Sequence, residues 1–142
     1  LLAASKPSSS RADSKWKIRI VEGPGEGKEF NITNLSNYLN KKVLTIGRHD
    51  PGTPFLNDIP VTEGITNYMS VHHGTLECIF KNDIPAWFLR DGQWYEKNGI
   101  RGWYLSRNGI KVNDVVIDNF GIELHNNDQI KMGKTIFRIV CE

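Results

Sequence analysis

Cysteine is scarce: two residues, Cys78 and Cys141, in a chain of 142. Two thiols cannot build the framework of a small secreted scaffold. Both lie in apolar, strand-like runs, so the expectation is a pair of buried, reduced cysteines in a cytoplasmic protein. The matches at Asn31-Ile32-Thr33 and Asn34-Leu35-Ser36 to a glycosylation pattern carry no weight there. Metal-ligand spacing is also missing. There is no Cys-x-x-Cys and no His-x-x-x-His, and the adjacent His72 and His73 would face opposite ways on an extended backbone. No Gly-x-Ser-x-Gly elbow or comparable constellation joins a nucleophile to a base. No metal, no cofactor and no catalytic residues are therefore expected, and the chain does not read as an enzyme.

An excess of charge of either sign is lacking too. The 18 basic and 16 acidic residues give +2, and Lys6, Arg11 and Lys15 against Asp13 account for all of it. Residues 16–142 are balanced, which argues against a nucleic-acid partner, whose binders cluster basic charge on the folded domain. No apolar run approaches the roughly 18 residues that cross a bilayer, so no direct membrane contact is expected of this segment. The Gly-rich GPGEGK, residues 23–28, fails as a phosphate loop. Three residues separate Gly23 from Gly27 where four are needed, Glu29 follows Lys28, and Pro24 removes a donor. A hairpin turn is the better reading.

What remains is a domain of ordinary composition, 39% hydrophobic and 24% charged. LLAASKPSSSRADSK reads as a flexible tail or linker over residues 1–15. The first residue is Leu, which suggests a segment of a longer polypeptide. From Trp16 short strands recur between Gly, Asn, Asp and Pro. WKIRIVE and KEFNI flank the Gly-rich turn; KVLTIGR follows; FLNDIPV is an edge or strand end because of Pro60. GTLECIF alternates with Leu76, Cys78 and Phe80 on one face, AWFLRD follows a turn, and DQIKMG with KTIFRIV forms a closing hairpin. No stretch sustains a 3.6-residue period. An all-β sandwich or barrel is expected over residues 16–142, as one domain.

The polar residues fall at strand ends: Gly47-Arg48, then Ser70-Val71-His72-His73, then Ser106-Arg107-Asn108-Gly109. Asn-Gly is a strong signal for a tight turn between Trp103-Tyr104-Leu105 and Ile110–Val112. The loops could be turns that satisfy their own backbone. They could also form a recognition site at one end of the sandwich, where an arginine fork, a hydroxyl and an amide suit a phosphoryl group.

In these three loops, and in LTIGR, NDIPV, SVHHGTLE, LSRNGIKVN and ELHNNDQIKMG, the sequence resembles the forkhead-associated (FHA) domain, whose pattern is Gly-Arg, Ser-x-x-His and Asn-Gly in that order. The LRDG…Ser-x-Asn-Gly-Ile arrangement is similar to bacterial, particularly cyanobacterial, members. The resemblance implies a β-sandwich of about eleven strands that binds phosphothreonine-containing proteins or peptides, in signalling or assembly, and is monomeric as an isolated domain. It implies that Arg48 and Ser70 bind the phosphate and that Asn108 holds the peptide main chain. Gly47, His73 and Gly109 are structural by the same resemblance, with His73 bracing the Ser70 loop. Two departures stand out. Val71 occupies a position that often donates to the phosphate and cannot do so, and Arg107 replaces a usual Thr or Ser. Val71 keeps open a second reading, an assembly module of this fold that binds unphosphorylated partners or itself; Arg107 could supply the missing charge from the facing loop. GQWYEKNGIRGW is inserted where relatives run straight on, either as an extra hairpin folded onto the sandwich or as a wall against the peptide.

Overall fold

Hydrophobic alternation in the sequence becomes two inner faces in space. The computed structural model describes residues 11–64 and 67–142. Its strands are β1 (Trp16–Glu22), β2 (Glu29–Asn31), β3 (Val43–Arg48), β4 (Ile59–Val61), β5 (Gly74–Lys81), β6 (Ile84–Asp91), β7 (Gln93–Lys97), β8 (Ile100–Tyr104), β9 (Ile110–Val112), β10 (Val115–Val116), β11 (Ile122–Glu123), β12 (Gln129–Met132) and β13 (Thr135–Cys141). One sheet has six strands in the order β10-β9-β12-β13-β1-β2, and the other has five, β11-β6-β5-β3-β4. Together they hold the eleven strands that the resemblance implies. The pair β7–β8 is a separate ribbon in addition.

On β1, Trp16, Ile18 and Ile20 point inward and are buried, with Phe137 and Ile139 beside them on β13 and Ile130 and Met132 on β12. Leu44 and Ile46 of β3, Leu76 of β5 and Trp87 and Leu89 of β6 face them from the other sheet. Each such side chain taken from water contributes about 1.5–3 kcal/mol. Cys78 is buried and Cys141 half-buried, both as free thiols. Phe80 shares the face of Leu76 and Cys78, yet it is exposed and Lys42 Nζ sits over its ring. The strand there runs past the sandwich.

One element departs from the all-strand expectation. After β2 the chain turns into a helix, α1 (Ile32–Leu39). Asn31 caps it, its Oδ1 accepting from Asn34 N–H at 2.9 Å, and Asn40 ends it in the left-handed conformation. Two turns allow only one clear repeat of buried positions, Ile32 and Ser36, too few to register as a helical period. Both glycosylation-like matches fall on this capped helix.

Residues 1–10 of the expected tail lie outside the described residues. Residues 11–15 pack on the domain: Ser14 is buried, and Lys15 and Glu142 exchange backbone hydrogen bonds at 2.7 and 2.9 Å. Pro60 does lie on an edge strand, in β4, which pairs with β3 in parallel.

Candidate functional site

Close approach of two backbones builds the site. β3 ends at Gly47-Arg48 against the loop that carries Ser70 and Val71. A Cβ on Gly47 would overlap the Val71 carbonyl oxygen, so only glycine lets the strand and loop meet. That carbonyl accepts from Asn57 Nδ2 at 2.8 Å. The next residue, Arg48, donates its backbone N–H to Ser70 O at 3.0 Å and its Nε–H to Met69 O at 2.9 Å. The guanidinium is thus aimed by the loop it serves, 23% of the side chain stays exposed, and Asp50 is a distant companion at 3.9 Å. With five N–H donors in its fork, one bound to Met69 leaves others for a ligand.

His73 ties the loops together from inside. Its Nδ1 accepts the Ser70 N–H at 2.9 Å, and its Nε2–H donates to Gly109 O at 2.8 Å. The ring is fully buried, and burial lowers its pKa below the usual imidazole value, so it is held neutral with the proton on Nε2. Ser70 Oγ accepts from Arg107 N–H at 3.1 Å, which leaves its own proton free to donate outward. Asn108 is exposed and donates from Nδ2 to Tyr68 O at 2.8 Å; its second amide proton and Oδ1 suit a ligand's main chain. Arg48, Ser70, Arg107 and Asn108 therefore stand at one end of the sandwich.

The Asn108-Gly109 loop is no hairpin, contrary to the turn signal. The strand before it, β8, pairs with β7, and the strand after it, β9, pairs with β12 and β10. Gly109 alone has positive φ, 76°, and it follows an anchor: Ser106 Oγ donates to the buried Asp91 Oδ1 at 2.6 Å and accepts Gly109 N–H at 2.9 Å. The loop carries the chain from the ribbon to the six-stranded sheet. The true tight Asn-Gly hairpin is Asn98-Gly99, with φ of 52° and 81°, at the tip of β7–β8.

That ribbon is bolted down at its base. Gln93 is buried, and its Nε2 donates to Ile46 O, Asn57 Oδ1 and Gly74 O at 3.1, 2.9 and 3.0 Å. Its Oε1 must then accept, from His72 Nδ1–H at 2.9 Å. The His72 ring lies between Phe55, 4.3 Å away, and Tyr95, stacked at 3.6 Å and 11°. Trp103 donates its indole N–H to Asp91 O at 2.8 Å under the Arg90 guanidinium. The insertion is thus a hairpin folded onto the sandwich, and its Tyr95 and Lys97 also border an open cleft of about 370 Å³ beside Ser70, Val71 and Arg107. No family motif marks Gln93, Tyr95 or His72 in the sequence. The period-two spacing Gln93-x-Tyr95-x-Lys97 was the legible signal. Among the described residues no cluster of His, Cys, Asp or Glu could hold a metal ion.

A β-sandwich whose polar loops gather around an arginine, a serine and an asparagine is a recognition module that presents its site on loops held by a rigid scaffold. The chain belongs to the forkhead-associated family: residues 44–133 match the FHA domain. FHA domains are generally non-catalytic interaction modules that bind phosphothreonine peptides. The fold is similar to that of the yeast Pml1 splicing factor (15% identity, TM-score 0.66, 96% of this chain and 94% of that one). It is similar to the Slr1951 protein from Synechocystis (21%, 0.61, 90% and 97%). A third similar structure comes from work on phosphothreonine-dependent FHA domain interactions (15%, 0.56, 89% and 95%). No curated protein matches the chain significantly.

Proposed function

We propose that this domain binds phosphothreonine on a protein partner and performs no catalysis, serving signalling or assembly. The observation that carries the reading is the cross-bracing of three strand-end loops. One buried imidazole fixes the Ser70 and Gly109 loops, and the Ser70 loop in turn orients Arg48. Such pre-organisation lowers the cost of ordering donors around an anion. The phosphoryl group, with about −1.5 to −2 charges at neutral pH, meets the Arg48 fork and the Ser70 hydroxyl. Arg107 adds charge from the facing loop, and Asn108 holds the peptide backbone. A threonine γ-methyl in contact with apolar loop surface favours threonine over serine by about 0.8 kcal/mol.

The second reading, an assembly module for unphosphorylated partners, draws on Val71, which has no side-chain donor. It draws also on yeast Pml1, whose structure was described with its integration into the RES complex. Calorimetric titration of a phosphothreonine peptide library and its unmodified twin separates the two. Binding confined to the phosphorylated form is the expected result. Equal binding of both forms transfers the function to the assembly reading.

A further inference from the structure

We propose that the β7–β8 hairpin is a wall of the phosphate cleft, and that Lys97 supplies from it a cationic contact that, beside Arg107, makes up for the donor Val71 lacks. The inference rests on the phosphopeptide reading above and adds a residue to that same site. Strand alternation sets the geometry. On β7, residues 93, 95 and 97 share one face, and residues 94 and 96 the other. Gln93 on the first face is buried and locked to three carbonyl-type acceptors of the sandwich. Tyr95 stacks at 3.6 Å on His72, two residues from Ser70. The face that the core anchors is therefore the face that looks over residues 70–72, and Lys97 follows on it.

Lys97 borders the cleft together with Ser70, Val71 and Arg107. Its Nζ lies 5.5 Å from the centre of the Tyr104 ring. The carboxylate nearest in sequence, Glu96, points to the other face and faces Arg101 at 3.9 Å. A lysine held over an aromatic ring at the rim of a cleft is a cation placed for an incoming anion. The hairpin thus moves the charge from the Ser70 loop, where Val71 stands, onto an inserted element.

The test is a calorimetric titration of one phosphothreonine peptide against the native domain, Lys97→Met, Arg101→Met and Lys97→Met/Val71→Lys at fixed salt. A charge-assisted contact corresponds to about a tenfold loss or more, and that loss is expected for Lys97→Met. Arg101→Met removes the same charge from the opposite face and should bind within twofold of native, which separates a local contact from net charge. The Val71→Lys change should restore most of the affinity lost with Lys97. Native-like binding by Lys97→Met, or equal losses from Lys97→Met and Arg101→Met, overturns the inference and leaves the phosphopeptide reading standing. A native domain that binds the phosphorylated and unmodified peptides alike overturns both.

Discussion

His73 holds its place by two hydrogen bonds, and the one it accepts at Nδ1 can be made only by the neutral ring. Protonation would set an Nδ1 proton against the Ser70 N–H, and burial already lowers the folded-state pKa below the ordinary 6.5. The unfolded chain therefore takes up the proton at higher pH than the folded one. The contribution of His73 is fully present above about pH 6.5 and is lost as pH falls toward the depressed folded value. Thermal unfolding followed from pH 8 to pH 5 should show Tm falling through that window, and His73→Ala should flatten the fall. A smaller slope remains from His72, whose pKa burial also lowers. At neutral pH His73→Ala should cost about 0.5–1.5 kcal/mol for each lost hydrogen bond, more where the partner stays buried. A variant of native stability and weakened ligand binding would make His73 a contact residue instead. Arg48 has the opposite profile. Arg48→Ala should abolish phosphopeptide binding with little change in Tm, because a partly exposed strand-end residue seldom controls stability. Arg48→Lys should recover part of the affinity, since it keeps the charge and loses the fork. Native affinity in the alanine variant would remove Arg48 from the site.

At the scale of elements, the ribbon and the two loops it touches form one mechanical unit. Gln93→Ala should cost about 1–3 kcal/mol, because the acceptors on Ile46, Asn57 and Gly74 lose their shared buried donor. Amide hydrogen exchange should rise in β7–β8 and around His72 while the β1–β13 pairing stays protected. Uniform exchange across both sheets would show that the ribbon is no separate unit. The loop facing Ser70 gives a second prediction. Val71→Arg should tighten phosphothreonine binding, and Arg107→Ala should weaken it in the native background. If the two arginines serve one phosphate, the effects are non-additive, and a double-mutant cycle reads the coupling directly. An equal cost of Arg107→Ala in both backgrounds would show that Arg107 does not stand in for the missing donor.

For the whole molecule, the edges matter. The four strands that end the two sheets are β10 and β11, of two residues each, and β2 and β4, of three, with Pro60 in β4. Edges so short offer little backbone for a second copy to pair with, and the longer five-residue edges of the β7–β8 ribbon carry Glu96, Lys97 and Arg101, charges that discourage pairing. The domain should sediment as a monomer at about 100 μM, where a shift to dimer with concentration would contradict the argument. On the proposed reading, with positive and negative charges balanced over residues 16–142, the attraction for phosphopeptide is local. Affinity should therefore fall with added salt, as exposed charge pairs are screened over roughly 8 Å at 0.15 M.

What the sequence determined by itself was whatever local chemistry dictates. Alternating apolar residues specify strands with one buried face, the Gly-rich stretch after β1 specifies a turn, and Pro60 specifies an edge. Gly-Arg, Ser-x-x-His and Asn-Gly in order were enough to identify the family. Only the tertiary structure decided which strands pair. Leu105 and Ile110 flank an Asn-Gly pair that reads as a hairpin, yet Asp91, Ser106 and His73 hold that segment open as a crossing between sheets. Pairing partners lie far apart in sequence, so no local pattern encodes them. The same holds for Gly47, whose small size matters because of the Val71 carbonyl that packs on it. It holds for Lys97 too: its period-two spacing from Gln93 is visible in the sequence, but only the buried hydrogen bonds of Gln93 turn that face of the hairpin toward Ser70.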